Sequence, residues 1–255
     1  MLESESTKLG VYYLSEITED FESLYLEVRN KEGRLYTDDE VQKLPTLSKT
    51  HSRAKEWRFR KAPAEMILNK IRNEKNPLQI LDLGCGCGWF TAALSRIPSA
   101  AVVGADINEV ELRQACRLFQ KDNCRFVYWN VFQDDWRYPK FDVITLNSSI
   151  QYFTSVPKLL RRLFHFLNPN GQIFILDSPI YKEEEKAPSK ERSRRYFESM
   201  QVPEMIKHYH HHCWDDFADF EYSILYNPNK IGNRILRKFF QRRSPFYLIA
   251  VSGIK

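Results

Sequence analysis

Short apolar runs separated by amphipathic stretches form the main pattern of this chain. Runs rich in aliphatic and β-branched residues predict strands at 79–83, 101–106, 124–129, 141–146 and 172–177. Apolar residues at helical spacing predict intervening helices over 89–97, 109–119 and 156–167. Strands that alternate with helices favour a parallel sheet with right-handed crossovers and helices on both faces.

The residues before this alternating region predict a helical addition to the sheet. Residues 52–72 have helical periodicity, and Pro63 within them predicts a break into two consecutive helices. Residues 1–50 are too short to hold a core of their own. We therefore expect them to lie on the main domain as a lid or brace.

The C-terminal third predicts a cap and two more strands. The Asn-Pro-Asn-Gly sequence at 168–171 predicts a turn before the fifth strand. Charged, helical sequence after that strand predicts two helices, at 189–200 and 203–209, which would form the cap. The apolar runs at 221–226 and 245–251 then predict the last two strands.

Composition narrows the class of protein. With 255 residues, of which 43% are hydrophobic and 14% aromatic, the chain can form one sizeable α/β domain without metal or disulfide support. No run approaches the roughly 18–20 apolar residues of a membrane span, and residues 1–6 do not resemble a signal peptide. An odd number of cysteines, five, favours reduced thiols. These features predict a soluble, cytoplasmic protein without a membrane partner, and they leave its oligomeric state open.

The net charge of +5 is unevenly placed along the chain. Residues 227–255 hold seven basic residues, among them Arg237 and Arg242, and no acidic one. A solvated helix face is the simpler interpretation. An anionic substrate or a partner such as RNA is the alternative.

Three glycines at alternate positions follow the first predicted strand. Gly84, Gly86 and Gly88 allow positive φ and remove side chains that would hold a ligand away from the backbone. The amides at the following helix start can then face an anionic or polar group. A dinucleotide-binding loop has its third glycine three residues after the second, where this chain has Trp89. The dehydrogenase interpretation therefore fails.

The segment from Asp82 to Gly88, Asp-Leu-Gly-Cys-Gly-Cys-Gly, instead resembles motif I of the class I S-adenosylmethionine-dependent methyltransferases. The resemblance extends over roughly residues 52–255. It implies a three-layer, doubly wound α/β fold with a seven-stranded, mostly parallel sheet, whose last strand lies antiparallel next to the fifth. It also implies an N-terminal helical extension or lid at 1–76 and a Rossmann-like methyltransferase domain at 77–255, with a cap insertion at 183–212.

The resemblance further implies S-adenosylmethionine as the cofactor and S-adenosylhomocysteine as its product. Asp106, at the end of the second strand and about 20 residues past the loop, is placed to accept hydrogen bonds from both ribose hydroxyls, or to cap the next helix. Asn130 stands where the family has an acid for the adenine amino group, and its amide oxygen can still accept that bond; it also suits a turn. The expected cofactor-binding residues are Asp82, Gly84, Cys85, Gly86, Gly88, Asp106, Ile107, Asn130, Val131 and Asn147.

The sequence signals for the methyl acceptor are less specific than those for the cofactor. Relatives that methylate nucleobase amines or glutamine amides carry Pro-Pro and an aromatic residue after the acid or amide at the end of the fourth strand. Ser148 and Ser149 disfavour that chemistry here. Methyl transfer mainly requires alignment of the acceptor and, for a protic acceptor, removal of its proton.

His211, Tyr152 and Tyr181 are the predicted catalytic residues, and Asp177 is a rival. Trp57 could also face the sulfonium, although a core position is the simpler interpretation. His208 and His212 lie one helical turn apart, but no carboxylate or cysteine pair stands at a matching distance, so no metal is expected.

The sequence therefore predicts an enzyme that transfers a methyl group from S-adenosylmethionine to an O, N or C atom of a small-molecule acceptor. The alternative is an RNA- or protein-directed methyltransferase, or a non-catalytic binding module that uses the basic C-terminal face.

Overall fold

The computed structural model of the chain describes residues 7–8, 10–17, 19–72, 74, 77–240 and 243–255. The N-terminal residues 1–6 and Arg242, which entered the sequence predictions, lie outside the described residues. None of the helices among the described residues has the length and apolar character needed to cross a membrane.

The strands and helices follow the predicted alternation. The strands are β1 (Thr7–Lys8), β2 (Val11–Tyr13), β3 (Leu78–Leu83), β4 (Ala100–Asp106), β5 (Cys124–Tyr128), β6 (Phe141–Asn147), β7 (Leu167–Leu176), β8 (Ile180–Tyr181), β9 (His212–Cys213), β10 (Phe220–Tyr226) and β11 (Leu248–Ile254). The α-helices are α1 (Glu19–Lys31), α2 (Asp38–Lys43), α3 (Ala54–Arg72), α4 (Trp89–Leu94), α5 (Glu109–Phe119), α6 (Val156–Phe164), α7 (Glu183–Ser199) and α8 (Ile231–Phe240). Short 3-10 helices span Ile150–Tyr152, Pro203–His208 and Trp214–Phe217.

The central sheet has the order β1-β2-β5-β4-β3-β6-β7-β11-β10 among the described residues. Neighbouring strands from β2 to β7 run parallel, and β11 runs antiparallel to both β7 and β10. The predicted doubly wound fold with an antiparallel last strand is thus confirmed. The two N-terminal strands are additions that the sequence did not predict, since two or three residues show no clear period.

Successive residues of the parallel strands face opposite layers of the molecule. Ile80 belongs to a buried cluster with α3 and α4, whereas Leu81 belongs to another cluster that contains the apolar residues of α6. Because both faces are covered by helices, the strands are apolar on both sides. Their carboxyl ends meet at one edge of the sheet, where the site described below lies.

Helix α3 passes through Pro63 without a break, so the prediction of two consecutive helices is wrong. Beyond the proline, Ala64, Ile67 and Ile71 are buried in the cluster below the sheet. A proline within a helix costs about 3 kcal/mol. Burial of this apolar face offsets that cost and holds the helix together.

Strand β7 begins at Leu167, and the turn predicted at 168–171 is a distortion inside the strand. Asn170 has a φ of 66°, and the pairing with β6 shifts register between Phe141 and Val143. The Asn168 amide donates to Asp142 Oδ1 at 2.8 Å and anchors the distorted segment to β6. The turn prediction therefore recognised the bend but not its pairing.

The segment after β7 covers the carboxyl ends of the strands. Its first predicted helix is longer than expected, as α7, and its second is the 3-10 helix Pro203–His208. Both pack on α1 through a small buried cluster of Val28, Phe197, Val202 and Met205. The Tyr196 hydroxyl also donates to Glu32 at 2.6 Å. The N-terminal helix and the segment after β7 therefore meet above the sheet.

Candidate active site

The glycine loop between β3 and α4 takes a conformation that only small residues allow. Gly84, Gly86 and Gly88 have φ values of 75°, 52° and 75°. A Cβ atom at Gly84 would lie 2.4 Å from Ser149 Cβ, and one at Gly88 would lie 2.7 Å from Ala115 Cβ. The loop therefore packs closely between neighbouring elements, and its glycines leave the backbone uncovered by side chains.

Asp82 supports this loop from below. Its carboxylate is fully buried and accepts hydrogen bonds from the Thr91 hydroxyl at 2.7 Å and the Thr145 hydroxyl at 2.8 Å. Burial raises the pKa of Asp82 to about 6, although both threonine bonds oppose the rise. The side chain ties β3 to α4 and β6 and reaches no cavity wall described below.

Asp106 joins the glycine loop to the start of α5. One carboxylate oxygen accepts from the Gly86 amide at 2.8 Å, and the other accepts from the amides of Ile107 at 2.7 Å and Asn108 at 2.9 Å. Burial raises the pKa of Asp106, and the three amide bonds oppose that rise. The cap of α5 is Asn108, whose side chain accepts from the Glu111 amide. Three backbone amides therefore bind the Asp106 carboxyl and fix it beside the loop.

A cavity of about 230 Å³, here called the loop cavity, opens beside these groups. Six predicted cofactor residues line it: Gly84, Gly86, Asp106, Ile107, Asn130 and Val131. Phe21 and Tyr25 of α1 cover it, and Tyr152 and His208 also reach it. Four of the predicted cofactor residues, Asp82, Cys85, Gly88 and Asn147, do not line it.

Asn130 and Asn108 offer polar groups to the loop cavity. The Asn130 side-chain oxygen accepts from the Phe132 amide at 3.1 Å, which leaves room for one more donor. Asn108 is 1% exposed, and its Nδ2 atom has no hydrogen-bond partner among the described residues. A buried amide without a partner is costly, and a ligand acceptor in this cavity would satisfy it.

A small cavity of about 70 Å³, here called the junction cavity, continues past the glycine loop. Cys85 and Asn147 line it, together with Glu111 from α5. Asn147 Oδ1 is buried without a partner among the described residues. Burial, and secondarily the nearby Asp106, raises the pKa of Glu111 to about 7. Asn147 Oδ1 and the Glu111 carboxyl group can each accept a hydrogen bond from a donor group placed in this cavity.

Arg60 closes the other side of the junction cavity. Its guanidinium pairs with Glu56 at 3.2 Å, donates to Ser148 Oγ at 3.3 Å and lies 5.0 Å from the centre of the Trp57 ring. Trp57 is only 3% exposed and packs edge-on against Trp89 at 5.3 Å. Trp57 is thus buried in the core, and it also lines the junction cavity.

A cavity of about 780 Å³, here called the large cavity, lies between the sheet edge, α1, α3 and α7. Ser148, the residue that follows β6, lines this cavity and also the loop and junction cavities. The three spaces therefore meet at Ser148. Of the predicted catalytic residues, Tyr152 and Tyr181 line the large cavity and His211 does not.

His211 lies behind the wall of the large cavity. Its ring is 5.6 Å from that of Tyr181 and 5.3 Å from that of Tyr209, and its Nε2 is 2.9 Å from Ser193 Oγ. Burial, with a smaller contribution from His212, lowers the pKa of His211 to about 4. The imidazole is therefore neutral at pH 7 and contacts three lining residues rather than the cavity. No group of three or more metal-binding side chains occurs among the described residues.

Asp177, directly after β7, does line the large cavity. The side chain is almost fully buried; its Oδ1 accepts from the Ser244 hydroxyl at 3.2 Å, and its Oδ2 has no partner among the described residues. Burial raises the pKa of Asp177 to about 6, and Arg60 opposes the rise. A carboxylate with a free oxygen at the edge of a cavity is equipped to take up a proton.

Sequence reasoning did not assign roles to Asn108, Glu111 or Arg29. In the sequence, Asn108 and Glu111 have the pattern of the cap and first turn of an ordinary helix. Arg29 has the pattern of a charged position on α1. Their places at the cavities depend on the packing of α1 and α5 over the loop. The only signal was the acidic start of α5 directly after Asp106.

Comparisons with known proteins agree with this geometry. The model of a family described as a methyltransferase domain matches residues 80–171. A trans-aconitate 2-methyltransferase from Deinococcus radiodurans is 34% identical over 117 residues, which cover 46% of this chain and 43% of that protein. A ubiquinone/menaquinone biosynthesis C-methyltransferase UbiE from Vibrio parahaemolyticus is 36% identical over 109 residues, which cover 39% of this chain and 40% of that protein. The chain thus spans less than half the length of these curated relatives.

A solved structure extends the likeness of the fold to most of the chain. The plantazolicin methyltransferase BpumL, crystallised with a pentazolic desmethylPZN analog and SAH, superposes with a TM-score of 0.53. The match is 17% identical in sequence and covers 94% of this chain and 100% of that one. These comparisons identify residues 80–171, which contain the glycine loop and Asp106, as a methyltransferase domain of the class I S-adenosylmethionine-dependent type.

Proposed function

We propose that the protein transfers a methyl group from S-adenosylmethionine to an O, N or C atom of a small-molecule acceptor. The observation that carries this proposal is the meeting of three cavities at Ser148. A nucleoside would lie in the loop cavity, the amino-acid end of the cofactor in the junction cavity, and the acceptor in the large cavity.

The residues present fit this cofactor. Gly84 lets the loop pack against Ser149, where a Cβ atom would collide, and Gly84 and Gly86 line the loop cavity with backbone that a ligand can approach. The unpartnered Asn108 Nδ2 in the loop cavity and Asn147 Oδ1 in the junction cavity offer a donor and an acceptor to a polar ligand. We assign the cofactor to these two cavities.

Each end of the cofactor then has candidate partners. Asp106 would accept from the ribose hydroxyls, Ile107 would cover the adenine, and the Asn130 amide oxygen would accept from its amino group. Glu111 and Asn147 would face the ammonium group of the amino-acid end. Arg60, already beside Ser148, would bind its carboxylate.

The other predicted cofactor residues would hold the glycine loop and the cavity walls in place. They are Asp82, Cys85, Gly88 and Val131. Asp82 fixes the loop through its two threonine bonds. Gly88 permits the turn into α4, since its φ is positive and its neighbours leave no room for a side chain. Cys85 and Val131 are buried residues that shape the walls of the two cofactor cavities.

When bound, S-adenosylmethionine supplies an electrophilic methyl group, so the chain has little covalent chemistry to perform. Its residues must hold the acceptor in line and exclude water. Asp177 Oδ2 would take the proton of a protic acceptor. Tyr152, whose hydroxyl lies 3.4 Å from Arg29 Nη2, would orient the acceptor, as would Tyr181. His211 would act by positioning Tyr181 and Ser193.

The acceptor proposal also draws on the size of the large cavity. A volume of about 780 Å³ suits a small organic molecule. The names of the two relatives refer to trans-aconitate and to ubiquinone/menaquinone biosynthesis, which concern small molecules. We further propose that residues 1–76 act as a lid and residues 183–212 as a cap on the domain at 77–255. Within the chain, the alternative of RNA or protein binding is supported by the charge of the C-terminal segment.

Calorimetry with S-adenosylhomocysteine tests the cofactor proposal. We expect the wild-type protein to bind with a dissociation constant in about the micromolar range. Asp106→Ala and the isosteric Asp106→Asn should each weaken binding by about 30-fold or more, which corresponds to about 2 kcal/mol. Asp122→Asn, a change of an exposed carboxylate, is the matched control and should bind like the wild type. Absence of heat with folded wild-type protein, or unchanged binding in both Asp106 variants, would overturn the proposal.

A further inference from the structure

We infer that the acceptor of the large cavity carries an anionic group, a carboxylate or a phosphate, on an apolar body. This inference rests on the proposed function and names the chemical class of its acceptor. It is carried by the charges that line the large cavity, by the way they pair, and by the aromatic side chains between them.

Basic side chains outnumber acidic ones in the wall of the large cavity. The basic ones are Arg29, Arg34, Arg53, Lys55, Arg60 and Arg192. The acidic ones are Glu32, Glu56 and Asp177. Six positive and three negative side chains leave a net charge of +3 on a single concave surface.

The two glutamates are shared among four arginines. Glu32 pairs with Arg29 at 3.3 Å and with Arg34 at 2.6 Å. Glu56 pairs with Arg34 at 2.8 Å, Arg60 at 3.2 Å and Arg53 at 3.8 Å. Two positive charges therefore remain in this network after both carboxylates are neutralised, and one remains for the acceptor once Arg60 binds the cofactor carboxylate.

The network lies largely out of solvent, which strengthens its field. The Arg29 side chain is 13% exposed, that of Arg60 20% and that of Arg34 23%. Charges at such depth are screened by water and salt much less than surface charges. An anion in the cavity would therefore be attracted, and a cationic acceptor repelled.

Lys55 and Arg192 extend the positive wall on both sides of the cavity. Lys55 projects from α3 and Arg192 from α7. Neither forms an ion pair with a carboxylate in the described part of the chain, and Arg192 donates only to Ser189 Oγ, at 2.6 Å. Helices α3 and α7 thus each present an exposed cation to the cavity, and an anionic acceptor could pair with either.

Aromatic and apolar side chains fill the wall between these charges. Phe59, Phe197 and Phe246 line the cavity together with Tyr181 and Tyr209. Such surfaces favour an apolar or aromatic skeleton. Asp177 lies at the sheet edge, where it would face the methyl-accepting group. The acceptor that fits carries a protic nucleophile and an anionic group, and an apolar body separates the two.

A matched set of probes tests this inference on protein saturated with S-adenosylhomocysteine. The set is 3-(4-hydroxyphenyl)propionate, its neutral amide and the cationic tyramine, with phenyl phosphate as a second anionic head group. Ligand-detected NMR or calorimetry gives each dissociation constant. We expect at least one of the two anions to bind about tenfold or more tightly than the amide and tyramine, and its affinity to fall as salt is added. The preferred anion then distinguishes a carboxylate from a phosphate acceptor.

Two double variants with equal charge changes identify where the anion binds. Lys55→Gln with Arg192→Gln should weaken binding of the anionic probe about tenfold and leave S-adenosylhomocysteine binding unchanged. Arg58→Gln with Arg195→Gln removes two positive charges from the same two helices at residues that do not line the cavity. It should change neither affinity.

The outcomes separate this inference from the proposed function. If S-adenosylhomocysteine fails to bind, the proposed function fails first. If it binds but the amide or tyramine binds as well as the anions, or neither anion binds, the inference is overturned. Equal effects of the two double variants would also overturn it, since the attraction would then come from overall charge.

Discussion

At the scale of single residues, the site contains buried polar atoms whose missing hydrogen bonds destabilise the ligand-free protein. Asn108 Nδ2, Asn147 Oδ1 and Asp177 Oδ2 are buried polar atoms without partners among the described residues. Native proteins bury few such atoms, because each one forfeits its bonds to water. All three belong to residues that line cavities, so ligand binding gives the most direct reason for them.

The glycine loop supplies a first prediction. Gly84→Ala should destabilise the protein by about 2–4 kcal/mol and abolish S-adenosylhomocysteine binding, because a positive φ is strained and the new Cβ meets Ser149. Gly33→Ala is the matched control, since Gly33 also has a positive φ but has nothing within 4 Å of the added atom. It should cost about 1 kcal/mol and leave binding intact. Urea unfolding and calorimetry measure both effects, and equal losses in the two variants would contradict the account.

Asp177 gives a prediction on pH. Its folded pKa is about 6 against an ordinary value of 3.8, so the folded protein holds a proton that the unfolded chain loses first. The group therefore destabilises the fold increasingly as pH rises from about 4 to about 6, and by a constant amount above that. Asp177→Asn should stabilise the free protein by about 1–3 kcal/mol at pH 8 and by almost nothing at pH 4.

Unfolding in urea at the two pH values measures this difference. Asp122→Asn, a change of an exposed carboxylate, serves as control and should show no such dependence. A gain for Asp177→Asn that is the same at pH 4 and pH 8 would show that the Asp177 carboxyl is not perturbed. At pH 8 the variant should also lose methyl transfer to a protic acceptor, because an amide cannot take the proton.

At the scale of elements, the strands that carry the site could be predicted from their residues. Strands β3 to β7 are each rich in aliphatic, aromatic or β-branched residues, and the loop after β3 is marked by its three glycines. Asp106 and Asn130 follow strands whose carboxyl ends meet, so their proximity followed from the topology. The position of the last strand, antiparallel beside the fifth, was implied by the family resemblance and is confirmed.

Other elements could not be predicted because long-range packing decides them. Pro63 is tolerated in α3 only because the residues beyond it are buried against the sheet. Strand β2 exists because Tyr12 and Tyr13 pair with Val127 and Tyr128, which are far away in sequence. The roles of Arg29 and Glu111 likewise depend on how α1 and α5 approach the loop. Local pattern carries none of this information.

The packing of the proposed lid, residues 1–76, and the proposed cap, residues 183–212, predicts how readily these segments open. Helix α1, α7 and the 3-10 helix Pro203–His208 share a small buried cluster, whereas the sheet lies between two much larger ones. Elements held by few apolar contacts open at lower free energy than the core. Amides of α1 and α7 should therefore exchange hydrogen faster than those of β4, and S-adenosylhomocysteine should slow exchange in α1 by about tenfold.

Hydrogen exchange followed by mass spectrometry measures this difference. Exchange in β4 serves as an internal control, because its opening requires disruption of the central sheet. If the ligand slows exchange only in the C-terminal helix α8 and not in α1, the ligand site is not beneath α1.

At the scale of the whole molecule, three regions far apart in sequence form one site. The sheet contributes the glycine loop, Asp106 and Asp177, the N-terminal helices contribute the arginine and glutamate network, and α7 closes the large cavity. In the proposed function, the sheet would hold the reacting groups, while the added helices would determine which acceptor reaches them.

A crystal structure of the protein with S-adenosylhomocysteine tests the central claim most directly. We predict the adenosine in the loop cavity with its ribose hydroxyls on Asp106, the amino-acid end between Asn147 and Arg60, and the sulfur beside Ser148 facing the large cavity. A ligand bound elsewhere, or one whose sulfur points away from the large cavity, would contradict the account.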